Sequence, residues 1–139
     1  MKKFAFIVGA ALILSTSLWA QPASQPTAQE KKDLALAKAR EAENTARQLL
    51  NAIQVNDMAA FVAVGGEDVK AALSKKAFAQ VHDQVGPRLK KGYEMLFLTD
   101  LKQGGYQVYL WKLSFKDEGD DTLATLSLQN GKVAGFFLT

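Results

Sequence analysis

Residues 106–139, YQVYLWKLSFKDEGDDTLATLSLQNGKVAGFFLT, decide the fold. Tyr109, Trp111, Leu113 and Phe115 fall on alternate positions, the period of a pleated strand, so they share one face. Asp117–Asp121 interrupts the run as a turn, and Thr122–Gln129 resumes the alternation with Ala124, Leu126 and Leu128 on one side. Asn130-Gly131 is a strong two-residue hairpin signal, because both residues tolerate positive φ. Lys132–Thr139 is then a closing strand. Upstream, Tyr93–Asp100 reads as another strand, joined to Tyr106–Lys116 by a turn over Lys102–Gly105. Such short connections favour antiparallel neighbours.

Before residue 92 the period changes. Ala35, Ala39, Ala42, Ala46, Leu49 and Ile53 are spaced by three or four, which predicts a helix over about 30–55. The first half of that stripe is only alanine, so the stretch 30–44 buries little and firm packing is expected from about Thr45. A coiled coil is the alternative, but the heptads are few and small. Asn56 and Asp57 suit a helix start. Met58, Phe61 and Val62 follow as a short amphipathic helix stopped by Gly65-Gly66. Asp68 opens another turn through Leu73. Ser74 caps a helix whose Phe78, Val81 and Val85 share a face, with Gly86-Pro87 expected to end or bend it. Helices followed by a four-stranded meander give an α+β class, with N-terminal helices packed on a curved antiparallel sheet.

This element order resembles the nuclear transport factor 2-like superfamily, a cystatin-like cone, and more narrowly a bacterial group of domains of unknown function within it. The segments that carry the resemblance are ALSKKAFAQVHDQVG at 72–86, VYLWKLSF at 108–115 and LATLSLQNGKVAGFFL at 123–138. It spans about 45–139, a single domain. It implies the cone fold and little chemistry, since one superfold hosts many unrelated activities.

The N-terminus speaks to compartment. Lys2 and Lys3 precede an apolar Phe4–Leu14, then Ser15–Ser17 and a small Ala20. That is the layout of a signal peptide over 1–20, too short an apolar run for a comfortable membrane span. Gln21–Gln29, polar with two prolines, reads as a flexible linker. The expectation is an exported protein, periplasmic or secreted, with no stable membrane insertion after cleavage. The chain has no cysteine. Disulfides, thiol catalysis, thiolate metal sites and a cysteine-linked lipid anchor are therefore excluded.

Net charge is +3, yet Lys2 and Lys3 belong to the signal, which leaves 15 basic against 14 acidic residues. No basic stripe points to nucleic acid. His82 is the one histidine, so a conventional zinc site is not expected. Neither glycine pair is followed by the Lys-Ser/Thr of a phosphate loop, and no G-x-S-x-G occurs. The acidic turn at Asp117–Asp121 lacks the ligand spacing of a calcium loop and reads as a solvated hairpin tip. No metal or cofactor is expected.

Two functions remain. In the first, the chain is a non-catalytic binding or interaction module. Phe136 and Phe137 are adjacent and must face opposite ways, so both sheet faces carry apolar residues. Phe97, Trp111, Phe115, Phe136 and Phe137 are candidates for a ligand pocket or an interface. The partners expected are a second copy of the chain, a small apolar ligand or an envelope protein. In the second, a conical pocket performs isomerase, dehydratase or hydrolase chemistry on a small molecule. His82 would be the general base, with Asp57, Tyr93 and Tyr109 as its polar companions and Asp83 as an alternative orienter.

Overall fold

A computed structural model describes residues 24–139. The expected signal peptide and the linker up to residue 23 lie outside the described residues. The rest is α+β. Three helices, α1 (Ala28–Gln54), α2 (Met58–Ala72) and α3 (Lys75–Lys91), precede four strands. These are β1 (Tyr93–Gln103), β2 (Tyr106–Phe115), β3 (Thr122–Gln129) and β4 (Lys132–Leu138). The sheet is an antiparallel meander in the order β1-β2-β3-β4.

Local chemistry explains the boundaries. α1 begins at Ala28, two residues inside the stretch read as linker. Thr27 and Glu30 form a reciprocal capping box: the Thr27 N–H donates to Glu30 Oε2 at 2.6 Å and the Glu30 N–H to Thr27 Oγ1 at 3.2 Å. Asn56 does not start the next helix; it closes the previous one. Its φ is +56°, its N–H donates to Ile53 O at 3.2 Å, and the Asp57 N–H reaches Ala52 O at 2.8 Å. That left-handed close satisfies two carbonyls that would otherwise be orphaned. Asp57 then caps α2 through Ala60 N at 2.9 Å, and Ser74 caps α3 through Ala77 N at 3.1 Å. Gly66, at φ +77°, stops the first helical piece of α2 as the glycine pair suggests, and a second piece runs on to Ala72.

Gly86-Pro87 neither ends nor sharply interrupts α3, which runs on to Lys91. Proline forfeits one helix hydrogen bond there. The last turn holds because Leu89 is buried and Arg88 is anchored across to the β2–β3 turn. Packing on α1 becomes firm at Ala42, three residues before Thr45, and Leu34 and Leu36 stay exposed.

The core lies between the helices and one sheet face. Leu49, Leu50 and Ile53 from α1 meet Phe61, Phe78 and Leu89 from α2 and α3. Trp111, Leu113 and Leu126 rise from the sheet and are fully buried. Each such side chain stabilises the fold by about 1.5–3 kcal/mol. Small Ala124 sits opposite Trp111 in the register and leaves room for the indole. Leu98 and Ala134 are extra residues at two bulges, which bend their strands and add twist. β1 is an edge strand, and from Leu96 onward both of its faces are exposed.

Candidate functional site

The residues singled out from the sequence do not converge. His82, half-buried on α3, places Nδ1 2.7 Å from Ile53 O, an acceptor at the C-terminal end of α1. A carbonyl only accepts, so Nδ1 carries the proton and donates it. The ring lies against Gly86 and ties α3 to α1. The Asp57 carboxylate is engaged by Ala60 N. Asp83 is exposed, and Tyr93 is half-buried against the core. No hydrogen bond among the described residues joins any two of His82, Asp57, Asp83, Tyr93 and Tyr109.

The aromatic candidates separate into core and surface. Trp111 is 0% exposed, with its ring stacked against Tyr109 at 6.0 Å and Phe97 tilted against it at 6.1 Å. Its Nε1 is buried without a partner. Phe115 is buried beneath the Arg88 guanidinium, which lies 3.9 Å from the ring centre. Phe136 is half-buried against Phe61 at 6.4 Å, while Phe137, on the other face, is 59% exposed. Phe97 is partly exposed on the edge strand.

Two hollows remain. One, of 350 Å³, lies between α2, α3 and β4 and is walled by Phe61, Val69, Phe78, Val85, Phe136 and Leu138. The other is an open cleft of 1110 Å³ between α1, the kink of α2 and the tips of both hairpins. Tyr109 is the one polar candidate that lines the cleft. Burial pushes its phenol pKa up, and the carboxylates of Asp100 and Glu41 push it the same way. The phenol therefore stays a neutral donor throughout the physiological range.

Sequence reasoning missed Arg88. Its Nε donates to Asp117 Oδ2 at 2.8 Å, and a terminal nitrogen donates to Asp117 Oδ1 at 3.3 Å and to Asp120 O at 2.7 Å. Asp117 also accepts from Gly119 N at 3.0 Å. The β2–β3 turn is thus docked on α3 rather than wholly solvated; Glu118 and Asp120 alone fit the solvated picture closely, being exposed and unpaired among the described side chains. Composition marks the acids, but only the fold brings a cation from 29 residues upstream. The Arg88 hydrogen bond is the main cause holding the Asp117 carboxyl below its ordinary range, with Gly119 N second. A carboxyl lowered by folding stabilises the native state fully above its unfolded value, about pH 4, and loses that contribution as pH falls through the native value. Urea midpoints measured from pH 7 to pH 2 should therefore fall less steeply in Asp117→Asn than in the parent below about pH 4. Parallel curves would show that the pair does not couple to folding.

Among the described residues no cluster of three or more His, Cys, Asp or Glu is placed to hold a metal. No helix among them is long and apolar enough to cross a membrane. Compared with protein-family models and with curated proteins, the chain matches none.

Proposed function

We propose that this chain is a small exported, non-catalytic binding or interaction module with a nuclear transport factor 2-like cone, paired into a homodimer through the outer face of its sheet. The observation that carries the reading is the one-sided helix cover. Leu96 and Phe137 are 57% and 59% exposed, and Leu101 adds a third apolar side chain on the uncovered side. Leu110 and Leu123 are half-buried between them. An apolar face of this kind marks an interface more often than it stays in water. The N-terminal pattern of residues 1–20 supports export.

The 350 Å³ hollow supports uptake of a small apolar ligand. It is roughly twice the ~150 Å³ apolar cavity known to admit benzene. An envelope protein is the other partner that fits an exported module. The enzymatic alternative built on His82 has no comparable support, because among the described residues no carboxylate or phenol bonds the ring and His82 lines neither hollow.

Light scattering on the purified protein at tens of micromolar should report a dimer. The double variant Leu96→Lys, Phe137→Lys places charges on the proposed interface without touching the core, and should be a monomer with an unchanged circular dichroism spectrum. A parent protein that is monomeric at that concentration contradicts the reading.

A further inference from the structure

Beside the buried stripe of α1 runs a polar one. Lys38, Glu41, Thr45 and Gln48 follow at spacings of three, four and three, which sets them on one helical face. In the fold this face is a wall of the 1110 Å³ cleft. Lys102, Tyr106, Gln107 and Tyr109 face it from the β1–β2 hairpin, with Asn130 and Lys132 from the β3–β4 hairpin. Glu67 and Asp68 stand where α2 kinks.

The walls do not satisfy one another. Among the described residues no hydrogen bond or ion pair spans the cleft. Thr45 bonds back to Glu41 O at 3.1 Å, and Gln107 donates to Asp100 at 2.7 Å, each within its own wall. Among the described residues Lys38, Lys102 and Lys132 have no carboxylate partner, and Glu41 and Asp68 have no cation. Tyr109 supplies the second, independent observation. The residue is only 4% exposed and its ring is stacked on Trp111, while its hydroxyl lines the cleft, open to solvent and without a hydrogen-bond partner among the described residues. The buried ring thus fixes in place a hydroxyl that opens on the cleft, a positioned donor and acceptor for whatever occupies it.

The charges narrow the ligand class. Three lysines and three carboxylates line the same cleft. A simple anion meets the carboxylates and a simple cation meets the lysines, while an apolar ligand strips water from both without compensation. A molecule with one charge of each sign and a chain of donors and acceptors between them satisfies all the walls. We propose that the cleft binds a short peptide with free amino and carboxyl termini. The ammonium faces Glu41, Glu67 or Asp68, the carboxylate faces the lysines, and the amides bond Thr45, Gln48, Gln107 and the Tyr109 hydroxyl. This rests on the binding-module reading and assigns it a ligand class.

Calorimetric titration of the purified protein with tetra-alanine tests the assignment. Tetra-alanine with free termini should bind, and its acetylated, amidated form, which loses both terminal charges, should bind at least about tenfold more weakly. Tyr109→Phe and Lys102→Ala should each weaken the free peptide several-fold with an unchanged circular dichroism spectrum. No heat up to millimolar peptide, equal binding of the capped form, or preference for a neutral tetrasaccharide overturns the assignment. Light scattering on the same sample separates the two failures: a dimer that ignores the peptide removes the ligand class and leaves the binding module standing.

Discussion

Trp111→Ala should lower the unfolding free energy by about 3–5 kcal/mol, the range for emptying a large aromatic site in a packed core. The indole is 0% exposed and touches both the strand layer and its aromatic neighbours Phe97 and Tyr109. Against a typical total of about 5–15 kcal/mol, that loss brings the chain near the edge of folding. Trp111→Phe separates shape from polarity. It keeps a ring in the site and removes Nε1, which is buried without a partner. An unpaired buried donor is itself unfavourable, so removing it offsets part of the lost volume. The phenylalanine variant should therefore be much less destabilised than the alanine one. Chemical denaturation of both variants is the measurement, and an unchanged midpoint for Trp111→Ala contradicts the packing described.

Gly86→Ala is the second large effect, and its sign is the informative part. In an ordinary helix interior, alanine is better than glycine by roughly 1 kcal/mol. Here a Cβ at position 86 would stand 2.6 Å from His82 Nδ1 and 2.9 Å from His82 Cε1. The ring cannot retreat freely, because Nδ1 is held by Ile53 O at 2.7 Å. Overpacking of this kind costs about 1–3 kcal/mol and outweighs the propensity gain. In the His82→Ala background the obstruction is gone, and Gly86→Ala should become neutral or stabilising. The double-mutant cycle thus measures the contact directly. A stabilising Gly86→Ala in the parent would show that His82 does not sit over the glycine.

The sequence is legible where the physics is local. The alternation at Tyr109, Trp111, Leu113 and Phe115 is the buried face of β2. Asn130 and Gly131 take φ of +52° and +76°, as a tight hairpin needs. Asp57 and Ser74 cap the helices expected of them. The sequence misleads where contacts through space decide. Gly86-Pro87 carries the signature of a helix stop, but the glycine is there for the His82 ring and the following turn is tied to Asp117. Asn56 reads as a helix start, and only the hydrogen bonds to Ile53 O and Ala52 O show that it closes α1 instead. The bulge at Leu98 leaves no mark in a run of apolar residues.

The cleft was the least legible part. Tyr109 is legible by its hydroxyl, but Lys38, Glu41, Thr45 and Gln48 look like any solvated helix face. They become a wall only because the two hairpin tips, more than 50 residues away in the chain, close the opposite side. Conversely, His82 drew attention because it is unique, and the fold uses it to bind the end of a neighbouring helix.

The central claim is that helices cover one face of the sheet and a second copy covers the other. Paramagnetic relaxation by a soluble agent, read on leucine methyl groups at low and at high protein concentration, tests it most directly. Leu126, inside the core, should be shielded at both concentrations. Leu96, Leu101 and Leu123 should be relaxed in the dilute sample and protected in the concentrated one. If those outer methyl groups stay equally accessible at tens of micromolar and above, the sheet does not pair through that face and the account is wrong.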